Sequence, residues 1–170
     1  MTWKWFIKII VDYWPMFLRG AGVTLLISIV GTIIGLFIGL IIGTIRTIPL
    51  PENKVKRGIL KIVNAILSVY VEVFRGTPMI VQAMVIYYGS LMLFNIDMDR
   101  MFAGFFIVSI NTGAYMAEIV RGGIISIDKG QFEAAHAIGM NHVKTMLYVV
   151  LPQVIRNILP ATGNEFIVNI

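Results

Sequence analysis

Long apolar runs separated by short charged connections divide this chain, and the lengths of the runs limit what each can form. Residues 21–45 carry no charged side chain, and a helix rising ~1.5 Å per residue over that stretch exceeds the ~30 Å of a bilayer's hydrocarbon. They are predicted to form a first membrane span with room to tilt. Along it Gly31, Gly35, Gly39 and Gly43 recur at every fourth residue, a smooth stripe that another helix backbone can approach closely. The partner helix can belong to this chain or to a second one. Residues 62–94 are interrupted by the charges of Glu72 and Arg75 and by Gln82, and the run is longer than one straight span requires. Gly76 and Pro78 inside it are expected to bend or loosen the helix. A third span is predicted over 101–119, with Asn111, Thr112 and Tyr115 at membrane depth, and an incomplete fourth over 157–170 that contains Glu165.

Residues 1–19 mix aromatics with Lys4, Lys8, Asp12 and Pro15, which predicts an amphipathic segment at the membrane interface. Trp3, Trp5, Tyr13 and Trp14 suit that depth. A signal peptide would have a short apolar region and then a small-residue cleavage site, whereas here the apolar run continues, so no cleavage is expected. Residues 46–61 hold Arg46, Lys54, Lys56, Arg57 and Lys61 against one acid, Glu52. The positive-inside rule makes this connection cytoplasmic and the N-terminus external. Lys4, Lys8 and Arg19 count against that orientation. The later connections agree with it, since Asp97 and Asp99 accompany a single Arg100, while Arg121, Lys129 and Lys144 follow the third span.

Composition narrows the class. Of 170 residues 58% are hydrophobic, the mean hydropathy is +0.85, and a soluble domain rarely carries that much apolar surface. The chain reads as an all-α integral membrane protein. Its net charge of +5 flanks apolar runs rather than gathering with stacking aromatics, which argues against nucleic acid. Without cysteine there is no disulfide, thiolate nucleophile or Cys-ligated metal. His136 and His142 are six apart, off the spacing of helical metal ligands, and no metal is assigned. The absence of a glycine-rich phosphate loop ending in Gly-Lys-Ser or Gly-Lys-Thr means that any ATP is bound by another chain. No Ser-His-Asp set or paired catalytic acid supports an intramembrane enzyme.

Residues 122–156 stand apart. Asp128, Lys129, Glu133 and Lys144 recur too often for ~20 residues to cross hydrocarbon, so the segment is expected outside the bilayer. Asp128 is predicted to N-cap a helix, with Gln131 completing a capping box and Glu133 near the positive helix end. Phe132, Ala135 and Gly139 fall on one narrow face. Gly139 should stop the helix in a left-handed conformation, and Asn141 should cap a second helix reaching Leu151, where Pro152 cannot donate its backbone bond. A short helix held rigidly outside the membrane is an element through which a soluble partner can push on a membrane domain.

Three motifs then carry a resemblance. Glu133-Ala134-Ala135, followed after three residues by Gly139 and after nine more by Val149-x-Leu151-Pro152, resembles the EAA loop of permease subunits of ABC importers, whose pattern prefers Ile where this chain has Val149. Val71-Glu72-Val73-Phe74-Arg75-Gly76-Thr77-Pro78 with Val81-Gln82 is similar to a segment of the polar amino acid uptake branch, the histidine/glutamine permease-like permeases. So is Ala114-Tyr115-Met116-Ala117-Glu118-Ile119-Val120-Arg121-Gly122-Gly123, leading to Ile127-Asp128-Lys129-Gly130-Gln131. Together they cover the chain from about residue 20 to its end.

The resemblance implies a type I ABC importer permease-like helix bundle over residues 20–170, a fragment truncated after the start of the fourth core helix, in a bacterial cell membrane. Residues 122–156 become its cytoplasmic EAA loop. It implies substrates of the glutamine, glutamate, arginine, histidine or cystine class. It also implies two ABC ATPase subunits, a second permease as homodimer or heterodimer, and an extracytoplasmic solute-binding protein. No cofactor is expected in this chain, ATP and Mg being bound by the partner ATPase. Gln131, Glu133, Ala134, Ala135 and Gly139 are the expected ATPase-coupling residues. Glu72, Arg75, Asn111, Tyr115 and Glu165 are candidates for the substrate pathway. Four of these also have a structural reading: a Glu72–Arg75 ion pair that fixes a bend, Asn111 bonding a neighbouring helix, and Glu165 paired with a group outside these residues. A passive channel or ion-coupled carrier is the competing function.

Overall fold

The computed structural model describes residues 3–170, which form seven α-helices and one π-helical turn, with no strand among the described residues. The order is α1 (Trp3–Ile45), α2 (Lys54–Gly76), α3 (Met79–Phe94), α4 (Arg100–Ile125), α5 (Lys129–Ala137), α6 (His142–Thr145), a π turn (Met146–Val150) and α7 (Leu151–Val168). By length and apolarity α1 and α4 can each cross a membrane, and the bent pair α2–α3 supplies a third segment if counted as one.

α4 is the axis of the bundle. The glycine stripe of α1 lies on it in register, Gly31 against Val108, Gly35 against Thr112, Gly39 against Met116 and Gly43 against Val120. Both series step by four in the same direction, so α1 and α4 run parallel with their backbones close. This contact is within the chain, which settles the choice that the sequence left open. α2 and α7 run the other way along α4. Phe74 near the end of α2 meets Asn111, whose amide donates to its carbonyl, while the earlier Val71 packs with the later Ala117 and with Ile42; on α7, Ile158 and Val154 meet Gly123, and Asn169 reaches Thr112. The connection between α1 and α2 and the segment from 126 to 150 therefore leave the bundle at the same end. Most basic residues sit at that end, and Asp97 and Asp99 precede α4 at the other, as the charge pattern predicts.

Several boundaries differ from the sequence reading. Residues 3–19 do not form a separate element, because α1 continues through Pro15 without interruption. Only the helix beyond it touches the bundle. The run 62–94 is not one loosened span: α2 and α3 meet at an angle of 110°. Thr77 is extended at φ −118°, ψ 143°, the conformation forced on a residue before proline, and Pro78 begins α3. α2 starts at Lys54, capped by the Asn53 side chain, which accepts from Val55 and Lys56. α4 extends to Ile125 rather than ending at 119, because the charges of Glu118 and Arg121 are paired.

Two apolar clusters organise the interior. The larger joins Val120, Ile124 and Ile127 to Met146, Val150, Val154 and Ile158, with Leu36 and Leu40 of α1 against it. The smaller joins Ile42, Val71 and Ala117.

Candidate functional site

The segment predicted to protrude does so as a capped helix on an apolar seat. The Asp128 side chain accepts from the Gly130 N–H at 2.7 Å. Gly139 adopts φ +82°, and paired bonds, Met140 N–H to the Ala135 carbonyl at 3.0 Å and Gly139 N–H to the His136 carbonyl at 2.9 Å, close a Schellman turn. The Asn141 side chain then accepts from Lys144 at 2.9 Å, so α6 starts at once in a new direction. Phe132 packs on the larger cluster and Ala135 is buried, so one face of α5 is fixed. Gln131, Glu133, Ala134 and His136 remain exposed, and Ile138 is 75% exposed at the tip. Gly139, also exposed, has nothing within 4 Å of a built Cβ.

Two local expectations fail here. Gln131 does not close a capping box; its Oε1 accepts instead from Gln153 Nε2 at 3.4 Å, tying α5 to α7. Nor does Pro152 end the second helix. The π turn at Met146–Val150 carries Leu151 N–H to the Met146 carbonyl, so the ladder is already shifted where the proline N–H is missing, and the helix passes into α7.

At the same end of the bundle Glu118 pairs with Arg46 and with Arg121, the latter at 2.8 Å. Arg46 also reaches the Ser68 hydroxyl at 3.4 Å. This charged knot joins the end of α1 to α2 and α4. Sequence spacing could show only its Glu118–Arg121 arm.

A second polar knot holds the α2–α3 break. Gln82 Nε2 donates to the carbonyls of Phe74 and Thr77, both at 2.9 Å. Asn111 Nδ2 donates to Gln82 Oε1 at 2.9 Å and to the Phe74 carbonyl at 3.2 Å. These amides serve the carbonyls that the last turn of α2 leaves without intrahelical partners. A third knot sits toward the start of α4: Asn169 Nδ2 donates to Thr32 and Thr112, both at 3.0 Å, and Ser28 donates to the Asn169 carbonyl at 2.6 Å. Sequence reasoning gave Ser28 and Thr32 no role, although their spacing along the edge of the glycine stripe was a usable signal.

The candidate pathway residues separate. Asn111 is buried in the hinge knot. Glu72 and Arg75, three residues apart, make no ion pair among the described residues; both are exposed, and the Arg75 guanidinium instead lies 5.5 Å from the centre of the Tyr115 ring, a cation–π contact. Arg75 and Tyr115 thus meet, whereas Glu72 gains no partner there. Glu165 is half-buried on α7. No metal-holding cluster occurs among the described residues.

A parallel glycine-packed helix pair, a broken span and a rigid helix outside the bundle form an all-α membrane protein, and it is in permeases of the type I importer class that this arrangement recurs. Comparison agrees. Residues 55–170 match the family of binding-protein-dependent transport system inner membrane components, and the chain belongs to that family. It is 41% identical over 157 residues to the glutamine transport system permease protein GlnP of Escherichia coli strain K12, covering 92% of this chain and 67% of that one. It is 46% identical over 98 residues to the arginine transport system permease protein ArtQ of Bacillus subtilis strain 168, covering 58% of this chain and 45% of that one. Among solved structures it superposes on an amino acid ABC transporter with a TM-score of 0.74 and 42% identity, over 94% of this chain and 69% of that one. The fold is shared with the MetNI methionine ABC transporter, at a TM-score of 0.76 and 20% identity over 93% of this chain.

Proposed function

We propose that this chain is the membrane-spanning subunit of an ATP-driven importer for a polar amino acid, with α5 as the docking element for a cytoplasmic ATPase. The observation that carries the reading is α5 itself: capped at both ends, seated through Phe132 on a cluster shared by α4 and α7, with Ala135 buried beside it, and presenting Gln131, Glu133 and Ala134 outward. On this reading α5 and the basic connections face the cytoplasm and the start of α1 faces outside. A second permease chain completes the pathway, and an external solute-binding protein delivers the ligand. ATP and Mg belong to the ATPase. The relatives named for glutamine and arginine support a polar amino acid as cargo, and Arg75 at the Tyr115 ring and Glu165 on α7 offer both charge signs to a zwitterion. Movement follows only if the ATPase holds α5 differently in the inward- and outward-open states.

The test uses the full-length permease with its ATPase in vesicles, with uptake and hydrolysis measured together. Glu133→Lys is expected to leave the protein folded in the membrane while uptake no longer follows hydrolysis; Gly139→Val, strained at φ +82°, should loosen the end of α5 and uncouple as well. Coupled uptake at the normal rate in both variants would remove α5 as the coupling element. Transport that persists without any ATPase would favour a channel or ion-coupled carrier instead.

A further inference from the structure

The first half of α1 has no support from the bundle. Residues 5–22 are exposed throughout, and contact with α4 begins only where Ile27 meets Gly104 and Ser28 is buried. A helix of 43 residues is ~64 Å long, and would need a tilt of roughly 60° to fit ~30 Å of hydrocarbon, well outside the ~0–40° that spans adopt. Its second half runs parallel to α4, which leaves the first half projecting beyond the bundle at the end opposite α5. That half is not made for water. Trp5, Phe6, Ile10, Trp14 and Phe17 are all at least 39% exposed. Its charged positions Lys8, Asp12 and Arg19 are spaced by four and seven residues, so they fall on one narrow stripe of the helix with Pro15 among them. A wide apolar face with aromatics and a thin charged stripe is the pattern of a helix lying in a membrane interface. At the junction, Gly20 and Gly22 have nothing within 4 Å of a built Cβ, so the chain can bend there without disturbing a neighbour.

We propose that residues 3–19, which continue α1 without a break in the structure, fold down at Gly20–Gly22 in a bilayer and lie as a lipid-surface helix on the phospholipid face opposite α5, with the stripe of Lys8, Asp12 and Arg19 toward water. Continuity with a membrane span keeps this segment within reach of that surface. The three tryptophans of residues 1–170, Trp3, Trp5 and Trp14, all lie in it, so the part of the full-length permease's emission in nanodiscs that disappears when all three are replaced by Phe reports on it. Phospholipids brominated near the headgroup should quench that emission more than phospholipids brominated near the bilayer midplane. The chain has no cysteine, so single replacements can be read individually. A membrane-impermeant thiol reagent should label Lys8→Cys, Asp12→Cys and Arg19→Cys about tenfold faster than Phe6→Cys, Ile10→Cys and Phe17→Cys. Equal labelling at all six positions would overturn the proposal in favour of a helix in water. Strongest quenching from the midplane would overturn it in favour of a steep, straight crossing. Protection of the apolar face with no quenching, together with cross-linking between copies, would assign the surface to a second copy of the chain instead.

Discussion

Substituting Gly39 by alanine puts a single methyl group against the tightest part of the α1–α4 contact. The new Cβ would lie 2.3 Å from the Met116 Cβ, 2.7 Å from its carbonyl carbon and 2.9 Å from the Ala117 nitrogen. Carbon atoms without a bond between them settle at ~3.5–4.0 Å, so the helices must part by roughly 1 Å. Two of the three obstructing atoms belong to backbone, and no rotamer change removes them. Parting also loosens the adjoining contacts of Gly35 and Gly43. Overpacking of this kind costs ~1–3 kcal/mol, against a helix-propensity gain of ~1 kcal/mol for replacing glycine by alanine. Loss should win at Gly39. At Gly58, where a built Cβ meets nothing within 4 Å, the gain should win. Gly31 is intermediate, because its nearest obstructions are the Val108 side chain, Cγ1 at 2.5 Å and Cβ at 3.1 Å, while the backbone stays 3.7 Å away at the Ser109 nitrogen. Thermal unfolding of the three alanine variants in detergent should therefore rank Gly58→Ala at or above the parent, then Gly31→Ala, then Gly39→Ala several degrees lower. Gly39→Ala unfolding at or above the parent temperature would refute the close-packing argument.

Other consequences can be checked by similar means. Glu118→Gln leaves two arginines without their carboxylate; because the Arg46 and Glu118 side chains are 17% and 19% exposed, the loss should be ~1–3 kcal/mol, less than for a fully buried pair. Adding Arg46→Met should recover part of it, and a double-mutant cycle in detergent that shows no coupling would contradict the pairing. Gln82→Ala strips donors from the Phe74 and Thr77 carbonyls and should destabilise by ~1–3 kcal/mol. It should also widen the distance distribution between spin labels on α2 and α3; an unchanged distribution would show that Pro78 alone sets the bend.

Legibility followed the range of the interactions. The ends of α5 were readable because caps are local: Asp128, Gly139 and Asn141 each act within three residues of their position. The capping box failed for the same reason in reverse, since Gln131 found a partner twenty-two residues away. The glycine stripe declared a close contact, but periodicity identifies a face and never the neighbour that fills it. Two acid–arginine pairs with identical spacing show the limit clearly. Glu118 does bond Arg121, whereas Arg75 leaves Glu72 for the Tyr115 ring, because the packing of α4 brings that ring within reach. Gly76 and Pro78 announced a break after α2, yet its 110° angle lies with the amides of Gln82 and Asn111, one of them on another helix.

These differences in attachment also decide where the bundle can give. The α1–α4 contact brings backbone against backbone from Gly31 to Gly43, with few side-chain rotamers available to absorb a displacement. α5 rests on a cluster to which α4, α7 and the π turn all contribute and against which α1 packs, and close-packed interiors transmit strain rather than dissipating it. A load on α5 therefore reaches α4, α7 and α1 together. The α2–α3 junction is different: its extended Thr77 and the surrounding amide bonds can exchange partners with small rotations. The break at Thr77–Pro78 lies beside Arg75 and the Tyr115 ring, so a pivot between α2 and α3 would move the charged side of the candidate pathway with it.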